Sequence, residues 1–316
     1  MSVLITGAGM VGTHLAQLLS QQGESVTLLD LAPVVPYISK LVDLDKVRLI
    51  RGDVTNVPDL IDAIQQSKAT SIVHTAALLG AAVDNAPYTA CKVNVDGTVN
   101  VVEAARLTGV KRVVYTSTMG VYSWVASAPM TEDQPFGPTV LYGATKLAAE
   151  QIALLLGRRY GVEVVVVRYA VAYGYTFSAA GSMFGKTIAD LVEAAFRGVP
   201  AVIKRTPPFL NRNELVYVRD MAQAAALAVD AQGLKDHAFN IGSGELSDLT
   251  DLADAVRAEI PDARVTIEEP HGPLQPNPTR FPFDLSRARE QLGFVPAYPT
   301  SLGIKDYLAT MKSAKG

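Results

Sequence analysis

Val3-Leu4-Ile5-Thr6-Gly7-Ala8-Gly9-Met10-Val11-Gly12, followed by the amphipathic run His14–Leu19, decides the fold of this chain. A β-branched run breaks into G-x-G-x-x-G and then into a helical period. Glycine lets the turn be tight, lets the backbone approach a pyrophosphate and lets helix pack on strand. The free N–H groups at the helix start then face phosphates. Eighteen residues beyond Gly12, Asp30 closes the next strand-like run. A carboxylate there can accept both adenosine ribose hydroxyls. It would repel a 2′-phosphate, and no Lys or Arg precedes Lys40 to offset that. Gly7, Gly9, Met10, Val11, Gly12 and Asp30 are therefore expected to bind a dinucleotide, NAD rather than NADP.

Outward from this turn the pattern repeats. Val3–Thr6, Val26–Asp30, Val47–Arg51, Ile72–Thr75, Val113–Ser117 and Glu163–Tyr169 read as strands apolar enough to be buried on both faces. Gly12–Gln22, Asp59–Gln66, Thr98–Thr108 and Tyr142–Tyr160 read as helices between them. This alternation predicts an α/β fold, a Rossmann-type doubly wound parallel sheet with helices on both faces. After Gly174 the texture loosens. One helix is clear, Phe184–Arg197, and Leu215–Val218 and Ala238–Ile241 read as strands. Pro207 and Pro208 are adjacent, and Pro270, Pro273, Pro276, Pro278 and Pro282 cluster. The expected organisation is a cofactor-binding unit over 1–174, with returns near 214–241, and a smaller, mainly substrate-binding C-terminal lobe over 175–316. Ligands in such sheets bind at the carboxyl ends of the strands, where this lobe would cover them.

Composition narrows the classes further. The 316 residues are 49% hydrophobic and 19% charged, enough for a full core without disulfides or metals. A net charge of −3 lacks the basic footprint of a nucleic-acid binder. The single cysteine, Cys91, excludes an internal disulfide framework and fits a reducing compartment. His14, His74, His237 and His271 show no paired metal spacing, so no metal site is expected. No apolar run is long enough for a membrane span, and no cationic leader region precedes Lys40. The expectation is a cytoplasmic protein with a small-molecule substrate.

Tyr142-Gly143-Ala144-Thr145-Lys146 sets a phenol and an ammonium one helical turn apart on one face. A nearby ammonium favours the phenolate, so such a tyrosine can act as a base. With 12 tyrosines the spacing also arises by chance, and Tyr88-Thr89-Ala90-Cys91-Lys92 repeats it. The upstream partner separates the two. Val113–Thr118 is a strand ending in hydroxyls, 24 residues before Tyr142, and it would end at the ligand edge of the sheet. Tyr88 and Lys92 read as a helix-surface pair.

With these residues in place, the chain resembles the extended short-chain dehydrogenase/reductase family, the NAD-dependent epimerase/dehydratase group. Further matching elements are Gly52-Asp53-Val54, His74-Thr75-Ala76-Ala77, Asn94-Val95-Asp96-Gly97-Thr98 and Thr131-Glu132-Asp133. Val216-Tyr217-Val218-Arg219-Asp220, Asn240-Ile241-Gly242-Ser243-Gly244 and Asp284-Leu285-Ser286-Arg287-Ala288 follow. The resemblance implies a catalytic set of Thr118, Tyr142 and Lys146. Tyr142 would be the base, Lys146 its activator and ribose anchor, and Thr118 the residue that orients the substrate oxygen. It implies cofactor contacts from Asp53, Val54, Ala76, Ala77, Asn94 and Tyr169 besides the glycine turn. Leu79, Ser117, Arg212 and Arg280 are the expected substrate contacts, with Trp124 and Arg205 as further candidates. Helices Lys92–Thr108 and Tyr142–Tyr160 pair across a dimer axis in that family, which implies a homodimer.

The departures bear on chemistry. The glycine turn is one residue shorter than is usual in the family. Met119 and Gly120 stand where sugar-nucleotide dehydratases carry an acidic pair, which excludes dehydration. Val171 takes an Asn slot of the sugar-nucleotide enzymes, Asn213 takes an arginine slot, and Pro276-Asn277-Pro278-Thr279 replaces a late Arg-Pro-x-Asp element. The leading expectation is thus an NAD-dependent dehydrogenase of a secondary alcohol on a sugar, sugar acid or hydroxy acid. The alternative is an NAD-retaining sugar or sugar-nucleotide epimerase. A non-catalytic nucleotide-binding module ranks third.

Overall fold

A computed structural model describes residues 1–123, 129–177, 183–205, 211–269 and 281–314. Trp124, Arg280, His271, Pro207, Pro208 and the prolines from Pro270 to Pro278 lie outside the described residues. The main sheet has seven strands: β1 (Ser2–Thr6), β2 (Ser25–Asp30), β3 (Val47–Arg51), β4 (Ser71–His74), β5 (Arg112–Thr118), β6 (Glu163–Tyr169) and a late strand, Ala238–Ile241. All pair in parallel, in the order β3-β2-β1-β4-β5-β6 and then Ala238–Ile241. The order reverses between β1 and β4, the switch point at which such sheets open a ligand crevice.

Each strand sends alternate side chains to opposite faces. Val3, Ile5, Val26, Leu28, Val73, Val114, Val165 and Val167 pack on one face under Leu15, Ala16 and the alanines of helix Val218–Asp230. Leu4, Leu29, Ile72, Val113, Tyr115, Val164 and Val166 pack on the other, under helices Val57–Ser67, Gly97–Thr108 and Leu141–Tyr160. Burial on both faces is why these strands read as unbroken apolar runs.

Beyond β6 the chain builds two small sheets. β7 (Val171–Tyr173), β8 (Ala201–Lys204), β9 (Asn213–Tyr217), β10 (the Ala238–Ile241 strand), β11 (Leu246–Ser247) and β12 (Val265–Glu268) complete the count among the described residues. β9 lies between β7, parallel, and β11, antiparallel. β8 pairs with β12 alone. Of the two returns expected near 214–241, only β10 joins the main sheet; β9 belongs to the smaller one. A third core cluster, with Tyr173, Leu191, Tyr217, Leu252 and Tyr307, sits beneath these sheets. The helix expected over Lys92–Thr108 opens with a π-helical stretch, Lys92–Asp96. Such wide turns mark places where a local constraint overrides the α-helix.

Candidate active site

One continuous cleft of about 740 Å³ runs from the glycine turn to the start of the C-terminal lobe. At its base, Gly7 holds φ +95°, and a Cβ there would fall 2.6 Å from the Ala76 nitrogen. A Cβ on Gly12 would fall 1.9 Å from the Gly7 carbonyl oxygen, so the helix can seat on the turn only with glycine at that place. Gly9 differs. Its backbone is extended and a Cβ would meet nothing within 4 Å, so the space above it belongs to the cleft. Helix Met10–Gln21 starts at Gly9 without a side-chain cap, leaving its first N–H groups for an anion.

This contrast gives a sharp expectation. Gly9→Val should leave the urea midpoint within the scatter of replicate measurements while weakening NAD binding at least tenfold. Gly12→Ala should lower the midpoint itself. Equal effects of the two on stability would overturn the assignment of the Gly9 space to the pyrophosphate.

Asp30 lies on the same wall. Its Oδ2 accepts the Ala8 N–H at 2.8 Å and its Oδ1 accepts the Ala32 N–H at 2.8 Å. A carboxylate has about four acceptor positions, so two remain for ribose hydroxyls. Asp53, Val54, Ala76, Ala77 and Leu79 also line the cleft, with Met10 and Val11. Tyr169 lines it too, its hydroxyl donating to the Met221 carbonyl at 2.9 Å. The open space at Gly9, the uncapped helix start and the spare acceptors of Asp30 fit a dinucleotide.

Thr118, Tyr142 and Lys146 meet on the opposite wall. Thr118 ends β5, and its Oγ1 accepts the Gly120 N–H at 3.1 Å, so its hydroxyl proton is free to donate. Helix Leu141–Tyr160 approaches this turn closely: a Cβ on Gly143 would fall 2.4 Å from the Gly120 carbonyl oxygen. The glycine after Tyr142 thus lets the phenol and the Thr118 hydroxyl share a wall. Burial pushes the Tyr142 phenol up to about 12. Burial also pushes the Lys146 ammonium down to about 7, against the pull of the Glu150 carboxylate. The expected lowering of the phenol by the ammonium is not what this geometry gives. Lys146 Nζ instead lies 4.1 Å from the centroid of the Tyr115 ring, and burial dominates at Tyr142.

Several expected contacts take other places. Asn94 is buried and does not line the cleft. Its amide brackets Leu78, accepting from the N–H at 2.8 Å and donating to the carbonyl at 3.0 Å, and donates to Thr145 Oγ1 at 3.0 Å. It braces the Leu78 loop against helix Leu141–Tyr160, and the π-helical stretch puts it there. Ser117, expected to face substrate, does line the cleft, but its hydroxyl donates to Glu150 Oε2 at 2.7 Å. Arg212 stays at the rim of the cleft, but it donates to Asp251 Oδ2 at 2.8 Å and to the Leu246 carbonyl at 2.6 Å. Arg205 pairs with Glu269 at 3.0 Å. Tyr88 and Lys92 form the surface pair expected of them, with Nζ 4.9 Å from the ring centroid.

Sequence reading missed three residues. Thr75 donates to the Thr6 and Gly7 carbonyls, both at 2.9 Å, and so fixes the glycine turn. Glu150 pairs with Arg168 at 2.6 Å beneath the wall that carries Thr118, Tyr142 and Lys146. Tyr115 carries the Lys146 ammonium. The alternating strand pattern places Tyr115 toward helix Leu141–Tyr160, but no local pattern says which side chain it meets there.

A doubly wound parallel sheet with a glycine turn at its switch point, an acidic residue after β2 and a Thr/Tyr/Lys wall defines a dinucleotide-dependent enzyme of the extended short-chain dehydrogenase/reductase class. The profile of the NAD dependent epimerase/dehydratase family matches residues 3–242. UDP-glucose 4-epimerase of Mycolicibacterium smegmatis is 30% identical over 96% of this chain and 96% of its own length. The enzyme of that name from Lacticaseibacillus casei is 29% identical over 93% and 91%. The crystal structure of Thermus thermophilus UDP-glucose 4-epimerase in complex with NAD superposes with a TM-score of 0.83 at 26% identity, covering 99% of each chain. The chain belongs to the NAD dependent epimerase/dehydratase family, and NAD is its cofactor. No helix among the described residues is long and apolar enough to cross a membrane, and no group of metal-ligating side chains occurs among them.

Proposed function

We propose that this protein is an NAD-retaining epimerase that inverts a secondary alcohol on a nucleoside diphosphate sugar. The observation that carries the reading is the end-to-end likeness to UDP-glucose 4-epimerases, held together with Thr118, Tyr142 and Lys146 on one wall of a cleft that also contains the dinucleotide cradle. This reverses the order of the two leading expectations. Residues 1–174 with β10 would carry the cofactor, and the remainder mainly the substrate.

The Thr118 hydroxyl donates to the substrate oxygen and sets its orientation. The Tyr142 phenolate takes the proton from that oxygen and returns it after the sugar has turned. Lys146 holds the nicotinamide ribose and supplies the positive charge the phenolate needs. NAD held in the cradle would supply a reversible hydride acceptor for this alcohol. Gly9, Met10 and Val11 would hold the pyrophosphate with backbone N–H groups, and Asp30 would hold the adenosine ribose. Acidic residues do not follow Thr118, so elimination of water has no acid here.

The test is a proton NMR assay of UDP-glucose with the purified protein, paired with analysis of cofactor released on denaturation. Conversion to UDP-galactose with no added NAD, and bound NAD near one per chain, is the expected result. One observation favours a second reading, a dehydrogenase of a non-nucleotide alcohol: Arg212 is engaged by Asp251 rather than open to a diphosphate. Steady NADH accumulation on a sugar acid or hydroxy acid, with UDP-sugars inert, would replace the first reading by the second.

Asp30 sets cofactor choice under either reading. Asp30→Ser should narrow the preference for NAD over NADP at least tenfold, measured as relative affinity, because the like-charge barrier to a 2′-phosphate goes. An unchanged ratio would remove Asp30 from the ribose site. Exposed Leu107, Ile152 and Leu155 on helices Gly97–Thr108 and Leu141–Tyr160 support the proposed homodimer, which sedimentation velocity tests.

A further inference from the structure

Lys146 is 2% exposed and lines the cleft, and its ammonium makes no hydrogen bond or ion pair among the described residues. The nearest carboxylate on its own helix, Glu150, is committed to Arg168 at 2.6 Å and to Ser117 at 2.7 Å. What the ammonium does meet is the face of Tyr115, with Nζ 4.1 Å from the ring centroid. A cation within about 6 Å of a ring centroid is attracted by the negative face of the π system, and more strongly where water is excluded. Tyr115 is itself fully buried on β5, and its hydroxyl donates to the Lys146 main-chain carbonyl at 3.3 Å. The ring is therefore fixed to the helical turn whose side chain it carries.

Behind Tyr115 lies His74, with ring centroids 5.9 Å apart. Its Nδ1 meets Thr6 Oγ1 at 2.6 Å and its Nε2 meets Thr98 Oγ1 at 3.1 Å. Burial, with a smaller push from Lys146, brings this imidazole down to about 3, so it stays neutral and adds no competing charge. The charged and titratable groups around the ammonium are thus Glu150 and Tyr142 on its own helix, and Tyr115 and His74 from the strands beneath.

We propose that Tyr115 is a positioning residue: its ring face holds the Lys146 ammonium, in its charged form, at the place where it grips the cofactor ribose. The role rests on the reading of Lys146 as ribose anchor. The sign follows directly. The ring favours the ammonium over the neutral amine, so weakening the ring lowers the pH at which Lys146 loses its proton. Above that pH, the grip on NAD loosens.

The test uses the full-length, NAD-loaded protein with Tyr115 replaced by Phe and then by phenylalanines of increasing ring fluorination. These keep the shape nearly constant while draining the π face. The readout is the rate of NAD release into a scavenging hydrolase, measured against pH. In the parent and in Tyr115→Phe, release should accelerate as pH rises through the Lys146 transition. With a trifluorinated ring that transition should move down by about one pH unit, a tenfold smaller ammonium fraction above it. A transition that ignores fluorination overturns the proposal, as does a release rate flat with pH in the parent. Tyr115→Leu serves as a check. Release raised equally at every pH would mark Tyr115 as packing alone and would also overturn it. The two readings fail separately. A parent that does not epimerise leaves the release profile intact and strikes only the functional reading. A parent that epimerises, with a transition insensitive to the ring, strikes only the role of Tyr115.

Discussion

Tyr142→Phe should lower turnover by about 10²–10⁴-fold, the range expected when a positioned acid–base group is removed, while NAD stays bound. The substitution takes away one oxygen and leaves the ring. Helix Leu141–Tyr160 keeps its close approach at Gly143, and the cleft keeps its shape. What is lost is the atom that exchanges a proton with the substrate. The phenol begins from an unfavourable position, since burial holds it near 12. It can serve at neutral pH only if bound cofactor and the Lys146 charge bring it down, so its role depends on the loaded site. The rate is measured on protein whose NAD content has been checked and whose urea midpoint matches the parent. A loss of less than threefold would show that proton transfer does not run through Tyr142. Loss of NAD together with activity would instead make Tyr142 a cofactor anchor rather than the base.

Most of the main sheet was legible because its strands are short, β-branched and buried on both faces, and glycine and acidic residues punctuate them. Val47–Arg51 and Glu163–Tyr169 match their sequence boundaries to the residue. The small sheets were not legible for the opposite reason. β8 and β12 have four residues each, with alternate side chains exposed, and β11 has two. Windows so short carry little periodicity. β9 was legible as a strand but not as a member of the smaller sheet, because pairing partners are a property of topology and leave no local mark.

The candidate site divides in the same way. Residues that act through backbone geometry or spacing, such as Gly7, Gly12, Asp30 and the Tyr142/Lys146 pair, announce themselves by position. Residues that act through a distant partner do not. Asn94 was read as a cofactor contact because its element accompanies the site, but its amide reaches Leu78 and Thr145. Ser117 and Thr118 are adjacent hydroxyls at the end of one strand, and the strand period alone requires them to face opposite ways. Both line the cleft, but the Ser117 hydroxyl turns to Glu150.

Glu150→Ala should cost about 3–5 kcal/mol of folding stability, the range for removing one partner of a buried ion pair. The Glu150 side chain is fully buried and that of Arg168 is 4% exposed. Arg168 donates to both carboxylate oxygens, with its Nη2 at 2.6 Å from Oε1 and its Nε at 3.2 Å from each. Its other arm donates to the Tyr122 hydroxyl at 2.7 Å and to the Glu132 carbonyl at 3.1 Å. Tyr122 in turn donates to Asn240 Oδ1 at 2.7 Å on β10, and the Asn240 N–H donates to Glu132 Oε1 at 2.8 Å. The catalytic helix, β5, β6 and β10 are thus joined through one guanidinium. Truncating Glu150 leaves that charge in a site with little water to solvate it, and it strands the Ser117 hydroxyl as well. The cost comes from the unpaired charge rather than from the intrinsic worth of the pair, so a second substitution should recover much of it. Glu150→Ala with Arg168→Met should be more stable than Glu150→Ala alone by more than 1 kcal/mol, the hallmark of coupled neighbours. Urea unfolding of the parent, both single variants and the double variant closes the cycle. Additive losses, or a Glu150→Ala cost under about 1 kcal/mol, would mean that the pair is solvated and that the network does not hold the catalytic helix to the sheet. The expected cycle would place the anchor of the catalytic wall one turn beyond Lys146, on the residue that also supports the charge of that lysine.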